Sequence, residues 1–166
     1  MSTLAVRWIY VLEGDFVHNI LNHLPTGWDK SYAFFDRKGK CRLEIHSNGD
    51  ARVLSGYAWD GCTPKFSIFD ILVGTPDGVP NERTKKPKTY YASLVHDVLY
   101  QFLEINPDVP KAAADKIFLE LLARDGFAPR YIYYIAVSAF GGLSHRFTRW
   151  KRSYEGKRVA ISQSDA

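Results

Sequence analysis

Between residues 30 and 60 apolar and polar positions alternate with a period of two, and beyond residue 88 the apolar positions recur every three or four residues. The first pattern predicts a β-meander. Tyr32-Ala33-Phe34-Phe35 reads as a strand ending at the turn Asp36-Arg37-Lys38-Gly39, and residues 41–46 read as the next strand. Ser47-Asn48-Gly49-Asp50 is a hairpin signal, because Asn-Gly accepts the positive φ of a tight turn, and residues 51–57 return as a third strand. The second pattern predicts three helices, at about 89–104, 111–125 and 129–142. The first carries the stripe Ala92, Val95, Leu99 and Phe102, and the second carries Ala113, Ile117 and Leu121. Gly126 stops the second, Pro129 opens the third, and Gly141-Gly142 ends or kinks it. Residues 1–28 have no clear period: 6–12 fit a strand, and 16–24 fit a short helix before the break at Pro25-Thr26-Gly27. Residues 61–88 read as an irregular loop rich in Gly and Pro, with 81–86 as an exposed tip, and a loop of this length in a compact domain is usually functional.

The predicted class is therefore α+β, a meander followed by a helical bundle, as one domain over residues 1–142 with a basic extension over 143–166. The chain has 166 residues, enough to bury a core without staples. Its two cysteines, Cys41 and Cys62, form no CxxC and no zinc spacing, leaving room for one disulfide at most. No apolar run approaches the ~20 residues of a membrane span, and no export signal is evident at the N-terminus. The chain thus reads as soluble and made in the cytoplasm. The formal net charge is +4, and the excess gathers near the C-terminus, where Arg146, Arg149, Lys151 and Arg152 would suit phosphate groups of lipid or nucleic acid or simply form a solvated end.

Four polar groups stand where apolar residues would be expected. Asp60, between Trp59 and Gly61, reads either as a turn residue or as a cation ligand alongside backbone carbonyls such as that of Gly61. His96 lies one turn before Tyr100, so the two project from one side of the first helix. Its neighbour Asp97 is a poor interior helix residue and could hold a hard cation. Asp115 follows Ala112-Ala113-Ala114, small residues that let the second helix lie close to a neighbour. It reads either as an acid favoured in a first turn or as a carboxylate that reaches a histidine and sets its tautomer. Together these residues would supply a base, its orienting carboxylate and a cation site, which suits activation of water against an ester.

Gly56 to Pro64 with its Trp59-Asp60-Gly61 turn, Ser93 to Tyr100 with its His96-Asp97 pair, Ala114-Asp115 and the stretch from Tyr133 to Gly141 together resemble an uncharacterised protein family of tailed bacteriophages and bacteria. More distantly, Asp60-Gly61-Cys62-Thr63 and His96-Asp97 resemble the secreted phospholipases A₂ of bacteria and fungi. That likeness implies a three-helix, phospholipase A₂-like bundle carrying the His-Asp pair. It implies Asp60, Gly61 and Asp97 as a calcium site, and His96, Asp115 and Tyr100 as the catalytic set with His96 as general base. The sequence departs from that family at Ser93, where a cysteine would partner Cys62, and at Val95, where a basic residue would stand.

Three functions follow as expectations. The first is a calcium-dependent phospholipase-like hydrolase of phospholipid or cell-envelope substrates, with the basic segment on an anionic surface. The second is a non-catalytic phage virion or assembly component, partnered by phage structural proteins. The third is a zinc hydrolase, disfavoured by the lack of HExxH and of a second well-placed histidine. No pattern for specific nucleic-acid binding is evident.

Overall fold

The computed structural model describes residues 10–59, 61, 80–149 and 156–161, and over 140–149 it describes the helical backbone alone. Among the described residues seven strands and three helices make an α+β fold. The strands are β1 (Tyr10–Val11), β2 (Phe16–Asn19), β3 (Tyr32–Phe35), β4 (Cys41–Ile45), β5 (Asp50–Val53), β6 (Ala58–Trp59) and β7 (Lys157–Ala160). The helices are α1 (Tyr90–Gln101), α2 (Lys111–Arg124) and α3 (Arg130–Arg149). Among the described residues no helix is long and apolar enough to cross a membrane.

The meander forms as its alternation predicts. β3, β4 and β5 pair antiparallel, with Phe34, Leu43, Ile45, Ala51 and Val53 on the buried face. Arg42, Glu44 and Arg52 lie on the other face, where Arg52 pairs with Asp15 and Glu44. A bulge between Phe34 and Phe35 leaves Arg42 unopposed. Its guanidinium donates to Asp36 Oδ2 at 2.7 Å and to the Gly56 carbonyl at 2.9 Å, which ties the first turn to the chain leaving β5.

Two strands extend this sheet beyond the sequence reading, giving the order β2-β5-β4-β3-β7. Residues 16–24 are a strand and a short 3₁₀ turn (Leu21–His23), not the expected helix. Phe16 and His18 face inward while Val17 and Asn19 face outward, so the segment obeys a period of two once it lies against β5. The Asn19 side chain donates to Asp50 Oδ1 and accepts from Leu21 N–H, so it ends the strand and starts the turn. At the other edge, β7 pairs with β3, so part of the basic C-terminal segment is a sheet strand. Arg158 of β7 pairs with Asp108 and lies 3.5 Å from the centroid of the Tyr32 ring.

Gly49 shows why the β4–β5 hairpin needs its glycine. Its φ is +85°, and a Cβ there would sit 2.5 Å from Leu21 Cβ and 2.8 Å from Leu21 Cα. Its carbonyl also accepts from Ile20 N–H at 2.8 Å, so the turn cannot shift without losing β2. Gly49→Ala is expected to cost about 1–2 kcal/mol in urea unfolding. Gly27→Ala, at another positive φ but with open space around it, isolates the backbone share of that cost.

α1 runs between the sheet and α2. Its predicted stripe is buried, but so are Leu94 and Val98 on its other sides, as expected of a helix covered on more than one face. Phe102 meets Phe34 of the sheet at 5.5 Å between ring centroids, and Tyr91 stacks on Phe16 at 4.3 Å. α2 ends at Gly126, with φ +70° and the bond from Phe127 N–H to the Leu122 carbonyl that closes such a cap. α3 does not end at Gly141-Gly142 but continues to Arg149. Glycine inside a helix costs only about 1 kcal/mol relative to alanine, and neither of these two adopts positive φ.

Candidate functional site

The site is built where α1 and α2 face one another. Ala114 is fully buried and brings the two backbones close, which places Asp115 against α1. His96 Nε2 lies 3.0 Å from Asp115 Oδ1. The Tyr100 hydroxyl donates to the same oxygen at 2.5 Å. Lys111 donates to Asp115 Oδ2 at 2.7 Å from one turn earlier on α2. It also donates to the carbonyls of Val137 and Ser138 on α3, at 3.2 and 3.0 Å. The His96 and Tyr100 rings lie 4.0 Å apart, and Phe118 closes the opposite side of the imidazole at 4.9 Å.

These contacts define protonation states. Burial alone would push the Asp115 carboxyl up, but the hydrogen bonds from His96, Lys111 and Tyr100 outweigh it and hold the pKa below the ordinary aspartate value. Asp115 is therefore an acceptor-only carboxylate. Burial pushes the His96 pKa down, and the pull of Asp115 does not reverse this, so the imidazole is neutral at neutral pH. A neutral imidazole facing a carboxylate must present its N–H to it. His96 thus carries its proton on Nε2, and Nδ1 holds the lone pair. Burial and the Asp115 charge push the Tyr100 phenol well above its usual range, so it stays a donor. Asp115 keeps only 3% of its side-chain surface exposed and His96 10%, whereas Lys111 keeps 33% and Tyr100 is half-buried, so the cluster meets solvent chiefly through Lys111 and Tyr100.

Of the residues singled out from sequence, the fold brings His96, Tyr100 and Asp115 together. Asp97 is adjacent on α1 and half-buried, with an interaction of its own. Gly61 is buried, with φ +76°. Trp59 itself is fully buried between Tyr10 and Tyr90, and its indole N–H donates to Ser93 Oγ at 3.1 Å. This bond fastens the entry to the turn one helical turn before Asp97. Ser93 therefore occupies the position of the implied cysteine and anchors the tryptophan instead. Among the described residues Cys41 is a free thiol. Its thiol sits on β4, where it donates to the Leu43 carbonyl at 3.7 Å, and burial raises its pKa.

Asp60, Lys151 and Arg152 lie outside the described residues, as do Cys62, residues 63–79 and the side chains of Arg146 and Arg149. Among the described residues no group of three or more His, Cys, Asp or Glu side chains is arranged to hold a metal ion. Lys111 is the site residue that sequence reasoning missed. Its signal was the four-residue spacing to Asp115 on one helix face.

The fold and site define an α+β protein with a buried His–Asp–Tyr–Lys cluster linking three helices. Residues 81–137 match the model of a family described as "Protein of unknown function (DUF1353)", a stretch that contains all four of these side chains. No curated protein and no solved structure matches the chain.

Proposed function

We propose that this protein is a hydrolase in which His96 activates water against an acyl ester. The observation that carries this reading is the bond of Asp115 to His96 Nε2, which leaves Nδ1 as a neutral base of fixed orientation. In the reaction Nδ1 takes a proton from water as the hydroxide adds to the acyl carbon. The imidazolium then returns that proton to the departing alkoxide, giving a carboxylic acid and an alcohol. Asp115 steadies the imidazolium while it exists, and Tyr100 helps to hold Asp115 in place.

The reading includes a calcium ion held by Asp60, Asp97 and the Gly61 carbonyl. The Trp59–Ser93 bond supports this placement, because it fastens the strand leading into the Asp60-Gly61 turn to the helix that bears Asp97. Both oxygen-rich side chains suit a hard cation. Bound there, calcium would polarise the acyl carbonyl. The distant likeness to phospholipases A₂ supports phospholipid as the substrate class, with the basic residues Arg146, Arg149, Lys151 and Arg152 toward an anionic surface. The bacteriophage side of the resemblance supports action at a host envelope.

Hydrolysis of phospholipid vesicles and of short-chain esters, with calcium and with chelator, tests the proposal. His96→Ala is expected to lower the rate by about 10²–10⁴-fold, the usual worth of a positioned base. Hydrolysis that persists undiminished in His96→Ala, or none on any ester, refutes it. A second reading, a non-catalytic virion or assembly protein, draws support from the way the cluster ties α1, α2 and α3 together. Stoichiometric incorporation into particles that stay infectious with His96→Ala would favour it.

A further inference from the structure

We propose that Lys111 is a positioning residue of this site, clamping Asp115 to α3 so that one carboxylate oxygen is held on both His96 and Tyr100. The inference rests on the hydrolase reading for its kinetic consequence but not for its structural one.

Three observations carry it. First, an ammonium group has three N–H donors, and each has an acceptor here: Asp115 Oδ2, the Val137 carbonyl and the Ser138 carbonyl. The group is thereby fixed in direction, unlike that of an ordinary surface lysine. Second, Lys111 is badly placed for helix stability. It opens α2 directly after Pro110, where the helix dipole disfavours a cation, and it precedes its acid by four residues, the weaker order for such a pair. Neither the helix dipole nor the order of the local pair favours a lysine there, whereas the contact across to α3 accounts for it. Third, the two carboxylate oxygens divide their work. Oδ2 faces Lys111, while Oδ1 receives both His96 and Tyr100. A carboxylate held at one oxygen cannot swing, so the other stays on the imidazole and one tautomer is selected. α3 thus belongs to the site through its backbone.

The test is made on the full chain by nitrogen NMR of the imidazole at a pH where it is neutral. The unaltered protein should show His96 as a single Nε2–H tautomer, and the Lys111 ammonium should exchange with solvent far more slowly than those of exposed lysines. Lys111→Met should give a mixture of tautomers and, on an ester substrate, a fall in kcat of about tenfold with KM nearly unchanged, in the range of lost supporting contacts. Lys111→Arg, which keeps the charge, should restore most of the single tautomer. A folded Lys111→Met protein that retains one Nε2–H tautomer overturns the proposal. So does a Lys111 ammonium in the unaltered protein that exchanges as fast as exposed ones, a measurement that stands even where the variant fails to fold. Because the tautomer is read without substrate, failure of the hydrolase reading shows separately, as hydrolysis indifferent to His96→Ala.

Discussion

Replacing Asp115 with alanine is expected to lower the free energy of unfolding by about 3–5 kcal/mol, the range found when one partner is taken from a buried ionic network. The loss has three parts. Lys111 keeps its charge but loses its anion. Tyr100 loses its bond to Asp115, and the buried His96 loses the acceptor of its N–H, a loss that costs about 1–3 kcal/mol for a buried group. The third part is the space left by the carboxylate beside Phe118. Lys111 can relieve some of the charge, because a third of its side chain is already exposed and its head can turn to solvent. The effect should therefore fall toward the lower end of the range. Urea unfolding of Asp115→Ala, Lys111→Met and the double variant measures the coupling directly. The double variant should be less destabilised than the sum of the two single ones, since removing both charges leaves no unpaired ion. Additive losses would mean that the two side chains do not share one network.

Stability is also expected to fall as the pH drops below about 6.5, at up to about 1.4 kcal/mol per pH unit from His96 alone. The direction follows from the shifts. Burial lowers the His96 pKa in the folded state, so below the unfolded value the unfolded chain binds a proton that the folded chain refuses. Acid therefore favours unfolding throughout the interval between the two pKa values. His18 acts in the same direction, because burial and the nearby Arg124 lower its pKa as well. Asp115 adds a second decline at lower pH. Its folded pKa lies below the ordinary aspartate value, so its stabilising bonds are fully present above that value and are lost as the pH falls through the folded one. Urea titrations at pH 7.5, 6.5 and 5.5 should show the decline, and His96→Gln should flatten it by the His96 share. A protein that grows more stable over this interval would instead carry a charged imidazole against Asp115.

Both expectations turn on a contact that no local stretch of sequence contains. Asp115 lies nineteen residues from His96, and only the packing of α2 on α1 makes them neighbours. What pointed to the pair was the mismatch between a carboxylate and the small apolar residues before it, together with a histidine beside an apolar stripe. Lys111 gave only the weak signal of its four-residue spacing to Asp115, because a lysine at the start of a helix resembles any solvated residue until α3 lies across it.

Residues 30–60 were legible because strand alternation and the Asn48-Gly49 turn are local. The order of the turns fixed which strand met which, and the three helices announced themselves by their apolar period. The ends of the elements were less legible. Gly141-Gly142 resembles a stop, yet a glycine pair only weakens a helix, and the backbone continues to Arg149. Residues 16–19 and 157–160 have no pattern strong enough to stand alone as strands. Each becomes one because an edge of the meander offers unpaired N–H and C=O groups that a passing segment can satisfy.

The sequence by itself therefore determined the α+β class, the core of the meander, the three helices and the identity of the residues His96, Tyr100 and Asp115. Hydrophobic period and turn chemistry act over a few residues, and they are written in the chain. The tertiary structure alone decided the two added strands, the anchoring of Trp59 by Ser93, the tautomer of His96 and the clamp formed by Lys111. Each of these depends on which donor meets which acceptor across elements distant in sequence, and that is settled only when the elements pack.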